Sequence, residues 1–376
     1  MTDGEIRGPC PSRFAEVRAA FAANFADDLE LGARFCLAVE GEIVVDLLGG
    51  WADRARTRPF DERTLAPVFS TTKALAALMI ARLVGEGRLG YQTRVSELWP
   101  EFGCAGKAGV TVGQALSHQG GLAGLPGPMP ATDWFDWDKI CGRLAKMAPL
   151  WPPGSASGYH PVTFGYLAGE IFRRVDGRGL GEALRADVAG PLGLDLWIGL
   201  PDAEHRRVAD VRRPPAPASL GAMTEIRRLA FAEPWSSPGG LGEAAQRRAA
   251  IPSVSGQATA AGLARIMAAF ACDGMIGGAR LLAPGAAAEA SRQRIAGRDL
   301  VLPFDVSWGA GLLRNERIGV WGPNPETVGH AGWGGSCAFA DPDRRLSGAY
   351  VMNRQSVHLV GDPRPRRLIE AAYAAL

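Results

Sequence analysis

The sequence predicts an α+β protein, because strand-like segments gather at its two ends and helical segments lie between them. Two β-rich runs surround a short glycine turn within residues 33–50, and further strand-like runs appear from residue 305 onward. Strands and helices do not alternate along the chain, so a doubly wound parallel sheet is not expected. A chain of 376 residues, 47% of them hydrophobic and 21% charged, is long enough to bury a large core.

The N-terminal part is expected to form one amphipathic helix and then a hairpin. Apolar residues recur at helical spacing between residues 11 and 29, Phe14 and Phe21 among them, with charges between. The period then changes to that of strands in residues 33–50, where a Glu-Gly pair supplies a tight turn.

The remaining elements are read from the same patterns. A helix is predicted over residues 70–86, and residues 88–200 mix helical pieces with loops rich in glycine and proline. The later elements are a helix over residues 259–272, strand-like runs at 306–313, 336–340 and 347–352, and a closing helix over 366–376.

This order of elements implies two domains. The two terminal segments, residues 1–69 and 300–376, are expected to build one discontinuous sheet domain. Residues 70–299 are expected to form a mostly helical domain with long loops, inserted between the two halves of the first.

The charge balance excludes some partners. With 41 basic and 39 acidic residues the net charge is +2, which gives no electrostatic reason to expect nucleic acid or an anionic membrane surface. No apolar run approaches the roughly 20 residues that a membrane-spanning helix needs. Only four of the basic residues are lysines: Lys73, Lys107, Lys139 and Lys146.

Cysteine and histidine usage argues against a disulfide framework or a metal site. The six cysteines lie far apart with no C-x-x-C, and no two of the five histidines are three or four residues apart. No metal or organic cofactor is therefore expected. The first residues are polar and carry acids, with no apolar segment typical of a secretory signal behind them, so a cytoplasmic location is expected.

The segment around Ser70 and Lys73 carries the chemistry. After Lys73 the predicted helix has no polar residue for eight positions, so most of its surface is expected to be buried. Burial lowers the pKa of a lysine, and Ser70 lies one helical turn earlier on the same face. The pair therefore has the spacing of a nucleophile and its general base, with the Ser70 N–H at the helix start available to an oxyanion. The competing interpretation is a helix-capping serine beside a lysine that extends toward solvent.

Longer motifs along most of the chain, roughly residues 30 to 375, support the catalytic interpretation. They are Phe69-Ser-Thr-Thr-Lys73, Leu116-Ser-His-Gln-Gly-Gly-Leu122, Pro153-Gly-Ser-Ala-Ser-Gly-Tyr159, Pro191-Leu-Gly-Leu194, Gly199-Leu-Pro201, and Gly329-His-Ala-Gly-Trp-Gly-Gly-Ser336 followed by Ala340-Asp-Pro342. In this order and spacing they resemble the serine β-lactamase-related superfamily, which includes class C β-lactamases, DD-peptidases and family VIII carboxylesterases. The resemblance implies a β-lactamase/transpeptidase-like fold, an antiparallel sheet flanked by helices with a mostly helical insertion.

The resemblance also implies roles for three residues. Ser70 would be the acylated nucleophile, and Lys73 would activate it. Tyr159 stands where the family has a catalytic tyrosine, which passes protons to the leaving group as phenol or phenolate. Without the other motifs, Tyr159 would read as an ordinary loop tyrosine after a glycine.

The segment after Gly329 is expected to contribute the oxyanion hole and substrate contacts. His330-Ala331-Gly332 stands where penicillin-reactive relatives carry Lys-Thr-Gly on the edge strand beside the serine. Gly332 would let the substrate backbone approach closely, and the Trp333 N–H would join that of Ser70 in the oxyanion hole. The alternative is that Trp333 and the glycines after it form a strand bulge.

Two departures from the family pattern change the expected substrate. His330 and Ala331 replace a permanent cation and a hydroxyl that relatives use to hold a carboxylate. Tyr159-His160-Pro161 replaces Tyr-x-Asn and so lacks the amide that contacts a lactam side chain. Both changes favour neutral esters over β-lactams and peptidoglycan.

Two further features are open on the sequence alone. His160 is a candidate substrate contact beside Tyr159, whereas His118 is expected to hold a loop by hydrogen bonding. The aromatic and acidic cluster at residues 133–138 could line an acyl pocket, but packing of the helical domain is favoured.

The sequence thus predicts a serine hydrolase that cleaves short-chain carboxylic esters through an acyl-enzyme. The alternatives are a β-lactamase, a D-amino-acid peptidase or an amide hydrolase with the same intermediate, an acyltransferase, and a non-catalytic binding domain. The sequence contains no G-x-S-x-G nucleophile elbow and no phosphate-binding loop. The expected partner is a small ester; the oligomeric state and acyl chain length are not readable from these patterns.

Overall fold

The computed structural model describes residues 5–239 and 243–376. The first four residues, part of the polar stretch behind the cytoplasmic expectation, lie outside the described residues. Within the described ranges, no helix combines the length and the apolar character that crossing a membrane requires.

Fourteen strands are found in the described part of the chain, and nine of them form one antiparallel sheet. The sheet runs in the order β1-β3-β2-β14-β13-β12-β11-β10-β9. The strands are β1 Ile6–Arg7, β2 Gly32–Val39, β3 Glu42–Gly50, β4 Ala66–Pro67, β5 Leu196–Ile198, β6 Gly256–Ala258, β7 Met275–Ile276, β8 Ala279–Arg280, β9 Ile295–Arg298, β10 Asp305–Trp308, β11 Leu313–Arg314, β12 Val328–Ala331, β13 Cys337–Asp341 and β14 Leu346–Met352.

Helices flank this sheet and fill the middle of the chain, as the sequence predicted. The α-helices of the described residues are α1 Ala15–Ala26, α2 Thr72–Gly85, α3 Val95–Leu98, α4 Val112–Leu116, α5 Trp137–Lys146, α6 Thr163–Asp176, α7 Leu180–Ala183, α8 Glu225–Arg227, α9 Glu243–Arg248, α10 Ala260–Ala271, α11 Ala286–Ser291, α12 Asn315–Ile318 and α13 Pro363–Ala374.

The sheet joins the two ends of the chain. Strands β2 and β3 form the expected hairpin, and β14 pairs with β2 from Leu346 opposite Val39 to Met352 opposite Ala33. The α+β fold with an antiparallel sheet and flanking helices is therefore confirmed.

Alternate residues of the central strands enter two different cores. Ala338 and Ala340 of β13 pack in the core that contains Leu263 of α10, whereas Phe339 packs with Leu368 of α13. Successive side chains of a strand point to opposite faces, so the sheet separates two apolar layers. This explains why the strands are almost continuously hydrophobic instead of alternating with polar residues.

The two-domain division of the chain stays a prediction. Strand β9, Ile295–Arg298, extends the sheet with residues that precede position 300. Helix α10, Ala260–Ala271, packs against β2, β13 and β14 although it belongs to the segment 70–299.

The strand that carries His330 is not simply an edge strand. β12 lies between β11 and β13, and its first two residues, Val328 and Gly329, pair on both sides. His330 and Ala331 pair only with β13 within the described residues, because β11 ends before it reaches them. The expected edge is thus a short end of an interior strand that is paired on one side only among the described residues.

Candidate active site

Ser70 lies in a strained turn between strand β4 and helix α2. Residues Phe69–Thr71 form one turn of 3₁₀-helix, and α2 begins at Thr72, two residues later than the sequence suggested. Phe69 has a φ of 47°, a left-handed conformation that is unfavourable for a bulky side chain. This turn presents Ser70 at the start of the helix.

Lys73 is completely buried beneath Ser70. Its Nζ lies 3.1 Å from Ser70 Oγ, 2.8 Å from the Pro161 carbonyl oxygen and 3.1 Å from that of Ser253. Among the described residues no carboxylate lies within ion-pair distance of it. Burial alone therefore lowers the pKa of Lys73 well below the ordinary value of 10.5.

The three contacts of Lys73 can be made by an ammonium or by a neutral amine. An ammonium has three N–H donors for the three oxygen atoms around Nζ, whereas a neutral amine has two donors and one lone pair. In the neutral form the carbonyls of Pro161 and Ser253 can take both donors, which leaves the lone pair for the hydroxyl of Ser70. Because burial lowers the pKa of Lys73, this neutral form is accessible and can accept the Ser70 proton.

Tyr159 completes the polar group around Ser70. Its hydroxyl hydrogen-bonds with the Ser70 side chain, and Lys73 Nζ lies 4.9 Å from the centre of its ring. Burial raises the pKa of Tyr159 above its usual value near 10, so the side chain is a phenol at neutral pH. Of the two forms left open by the sequence, the structure favours the phenol.

A buried carboxylate that sequence reasoning missed fixes the backbone at Tyr159. Asp299 accepts hydrogen bonds from the Tyr159 N–H at 2.9 Å and from the Ser157 hydroxyl at 2.9 Å. It also accepts from the N–H groups of Val301 and Leu302, both at 2.8 Å. One carboxylate thus ties the Tyr159 loop to the segment before β10.

His160 lies behind the site, contrary to its assignment as a substrate contact. Its Nδ1–H donates to the Gly158 carbonyl at 2.6 Å, and its Nε2 accepts from the Leu122 N–H at 3.0 Å. Both ring nitrogens are therefore used by the backbone, and the side chain is fully buried. His118 accepts the His160 N–H through Nδ1 at 3.1 Å, which agrees with its expected role in holding a loop.

His330, in contrast, faces the pocket. Its Nδ1–H donates to the Ala331 carbonyl at 2.8 Å, so Nε2 carries a lone pair. Nε2 is buried and has no hydrogen-bond partner among the described residues. Burial lowers the pKa of His330 to about 3, with a smaller contribution from Lys73, so the ring is neutral.

The pocket above Ser70 is small and mostly apolar. Its cavity measures about 40 Å³. The side chains of Tyr159 and Trp308 are stacked with their ring centres 5.8 Å apart. The pocket is lined by Ser70, Tyr159, Phe231, Leu302, Trp308, Leu313, His330, Ala331, Trp333, Leu359 and Val360.

The loop at residues 332–336, which we call the oxyanion loop, packs directly against the nucleophile turn. Ser336 Oγ donates to the Val68 carbonyl at 2.9 Å and lies 3.1 Å from Thr71 Oγ1. A Cβ on Gly332 would come within 2.2 Å of both Ser336 Oγ and the Val68 oxygen. Gly332 is therefore required by contact with the protein itself, not by the approach of substrate, and it does not line the pocket.

The structure brings together five of the expected site residues. Ser70, Tyr159, His330 and Trp333 line one pocket, and Lys73 lies directly beneath it. Among the described residues no acceptor for the Trp333 N–H is found, which leaves this donor available.

The cluster at residues 133–138 packs the helical region and does not enter the pocket. Trp134 Nε1 donates to the Trp235 carbonyl, and Trp137 Nε1 donates to Glu170. In residues 5–239 and 243–376 no group of three or more metal-ligating side chains is found.

Comparison with known families agrees with this geometry. The model of the family described as Beta-lactamase matches residues 21–373. The chain belongs to the β-lactamase family. The resemblance drawn from the motifs is thereby confirmed.

Members of the β-lactamase family with similar sequences or structures carry different names. The chain is 36% identical to "Esterase/beta-lactamase LipL" of Mycobacterium tuberculosis, over 93% of this chain and 83% of that protein. A penicillin-binding protein homologue from Caulobacter crescentus has a TM-score of 0.97 and 61% identity, covering 99% of this chain and 100% of that one. A family VIII carboxylesterase structure has a TM-score of 0.93 and 43% identity over the same shares of the two chains.

The buried histidines predict a loss of stability in acid. Burial lowers the pKa of His160 to about 3, against about 6.5 in the unfolded chain, so the neutral ring stabilises the fold above pH 6.5. This stabilisation is lost as the pH falls from 6.5 toward 3, by about 1.4 kcal/mol per pH unit for each such histidine. We expect His160→Gln to reduce the slope of unfolding free energy against pH by about that amount, measured by urea titration between pH 7.5 and 4.5.

The matched control for this experiment is His358→Gln, because His358 is exposed. This variant reports what the removal of an exposed histidine does to the slope. An unchanged slope in His160→Gln would contradict the assignment of a buried neutral ring.

Proposed function

We propose that the protein is a serine carboxylesterase that forms an acyl-enzyme on Ser70. The observation that carries the proposal is the buried Lys73 amine, which lies 3.1 Å from Ser70 Oγ and is held by the carbonyl oxygens of Pro161 and Ser253, with its pKa lowered by burial. A family VIII carboxylesterase and an esterase/β-lactamase are among the similar proteins, which supports ester hydrolysis by this machinery.

Acylation begins with attack by Ser70 Oγ on the ester carbonyl carbon. Lys73 takes the seryl proton as the bond forms, and the carbonyl oxygen becomes an oxyanion that the N–H groups of Ser70 and Trp333 bind. The tetrahedral intermediate then collapses and the ester C–O bond breaks. The leaving alkoxide receives a proton from the Tyr159 phenol, and the Lys73 ammonium returns a proton to the Tyr159 oxygen, so that both residues end the step in their starting forms.

Deacylation repeats these steps with water as the nucleophile. Water gives its proton to the Tyr159–Lys73 pair and attacks the acyl carbon, and the same two N–H groups bind the second oxyanion. Collapse breaks the bond to Ser70 Oγ, and the proton returns to the serine. The products are a carboxylic acid and free enzyme, and no step requires a cofactor.

The lining of the pocket supports neutral esters with short acyl groups. His330 is neutral and stands where penicillin-reactive relatives have a lysine, so this position offers no cation to a substrate carboxylate. The volume of about 40 Å³ is the space open to the centre of a water-sized sphere, and on that measure one water needs roughly 10–15 Å³, so the cavity has room for about three waters or a short acyl group. His330 and Trp333 are the side chains that we assign to substrate contact.

A second candidate activity is β-lactam hydrolysis by the same acyl-enzyme. It is favoured by the name of the Mycobacterium tuberculosis relative, which includes both activities. The cytoplasmic location and the absence of nucleic-acid partners remain predictions.

Replacement of the nucleophile tests the proposal. We expect Ser70→Ala to lower p-nitrophenyl butyrate turnover by about 10⁴-fold or more, because no other group can form the acyl-enzyme. The wild type should hydrolyse this ester well and nitrocefin poorly, and a fluorophosphonate should add one adduct mass to the wild type alone. Ser155→Ala, at an exposed serine outside the pocket, serves as control.

Other results would contradict the proposal. Undiminished ester turnover in Ser70→Ala would remove Ser70 as nucleophile. Faster turnover of nitrocefin than of esters would favour the β-lactamase alternative.

Replacement of the base tests the role of Lys73. Arginine keeps its proton because its pKa stays above 12, so Lys73→Arg should lower kcat by about 10³-fold through loss of the general base. Lys73→Met should be equally inactive, and its thermal midpoint should fall only modestly, because the carbonyls of Pro161 and Ser253 lose a donor but no carboxylate among the described residues is left unpaired.

Lys107 provides a matched control for these variants. It is also fully buried and donates to two carbonyls, those of Cys104 and Met147, but it does not touch the pocket. Lys107→Arg should keep the wild-type kcat. Retention of a tenth or more of the activity by Lys73→Arg would refute the assignment.

The small cavity predicts a preference for short acyl chains. We expect kcat/KM to fall at least tenfold from p-nitrophenyl acetate or butyrate to the octanoate, because each methylene that does not fit the cavity contributes no binding energy. Leu313→Ala should raise kcat/KM for the octanoate about tenfold over the wild type, since Leu313 lines the cavity. Leu312→Ala, at a buried neighbour outside the lining, should destabilise the fold by about 2–5 kcal/mol and leave the acyl preference unchanged. Equal effects of the two variants would contradict this pocket assignment.

A further inference from the structure

The direction of the Trp333 N–H is set by one hydrogen bond within the oxyanion loop. The carbonyl of Gly332 belongs to the same peptide unit as the Trp333 N–H, and it accepts from the Gly335 N–H at 3.1 Å. In a trans peptide the carbonyl and the N–H point in opposite directions. The position of Gly335 therefore decides where the Trp333 N–H points.

Gly335 rests against a buried cluster of charges that the mechanism does not use. A Cβ on Gly335 would lie 2.4 Å from Asp362 Oδ2 and 2.5 Å from Arg364 Nη2. Arg364 Nη2 also donates to the carbonyl of Gly334 at 2.8 Å. The guanidinium thus touches the loop at two consecutive residues.

Arg364 is itself held rigidly. It is 3% exposed and forms ion pairs with Asp362 at 2.7 Å and Glu30 at 3.1 Å. It also donates to the carbonyl of Arg354 at 2.7 Å and that of Leu29 at 3.3 Å. The planar fork of arginine offers five donors in fixed directions, which a lysine cannot reproduce.

Two neighbouring contacts strengthen the same arrangement. Gln355 Nε2 donates to the Trp333 carbonyl at 3.2 Å, and the Ser356 N–H donates to the Gly334 carbonyl at 2.9 Å. On its other side the loop is tied to the nucleophile turn through Ser336. The oxyanion loop is therefore held from both sides by buried polar groups.

We propose that Arg364, fixed by Asp362 and Glu30, is a positioning residue for the oxyanion hole: it holds Gly334 and Gly335 so that the Trp333 N–H points at the reacting carbonyl. The inference rests on the proposed function, because it assumes that this N–H binds the oxyanion. Arg364 does not line the pocket, so its effect is transmitted through the loop.

A positioning role and a purely structural role predict different effects of substitution. The first lowers kcat, whereas the second lowers stability alone. Loss of one oxyanion donor lowers kcat by about 10²–10³-fold, and partial misdirection should lower it less. We expect Arg364→Lys and Gly335→Ala to lower kcat for p-nitrophenyl butyrate by about 10- to 100-fold while KM stays within threefold. Phenylboronic acid forms a tetrahedral adduct with the serine, so its Ki should rise at least tenfold in both variants.

The matched control is Arg34→Met. Arg34 is 5% exposed, forms an ion pair with Asp46 at 2.6 Å and donates to the Glu62 carbonyl at 2.7 Å, but it does not touch the oxyanion loop or the pocket. Its thermal midpoint should fall as in the Arg364 variant, while kcat and the boronic acid Ki stay within twofold of the wild type.

The outcomes separate this inference from the proposed function. If wild-type turnover depends on Ser70 but kcat is unchanged in Arg364→Lys and Gly335→Ala, the positioning role is wrong and the esterase proposal stands. If Arg34→Met loses as much kcat as Arg364→Lys, the effect is one of general stability and the role is also wrong. A wild type without ester turnover overturns both.

Discussion

The site depends on the burial of the Lys73 amine, which has no counter-ion among the described residues. Helix α2 is apolar over almost its whole length, and the loops that cover Lys73 bring only carbonyl oxygens to it. An acidic neighbour would hold the proton on Lys73 and so abolish the base, whereas carbonyls accept hydrogen bonds without doing so. The sequence contains 39 acidic and 41 basic residues, yet none of the described carboxylates lies beside Lys73. Keeping carboxylates away from this amine is thus the constraint on the surrounding structure.

That constraint explains how the rest of the site is held. Segments distant in sequence meet around Ser70, and each is fixed by a buried polar group outside the pocket: Asp299 holds the Tyr159 loop, and His160 joins Gly158 to Leu122. Such groups bind backbone N–H and carbonyl groups, so they give rigidity without placing another charge beside Lys73. Charged clusters, such as the one at Arg364, lie behind the oxyanion loop.

Much of the fold could be predicted from the sequence because its signals are local. The hairpin at residues 33–50 and helix α2 follow from periodicity, and the pairing of Ser70 with Lys73 follows from helical spacing. The roles of His160 and Gly332 could not be predicted, because their decisive partners lie far away in the chain: Leu122 for the one and Val68 for the other. Asp299 was missed for the same reason, since no local pattern distinguishes an aspartate that caps a distant loop.

The pairing of β2 with β14 has a consequence for how the protein is made. Strand β14 begins at Leu346, so its partner in the sheet, Gly32–Val39, is synthesised more than 300 residues earlier. Contacts between such distant segments close very large loops and form slowly. During translation the edge of β2 that pairs with β14 therefore stays unpaired until β14 has been made. Chains with such an open strand edge are prone to aggregate. The nascent chain is thus vulnerable until β14 has been made, and the enzyme becomes active only after this strand has emerged from the ribosome.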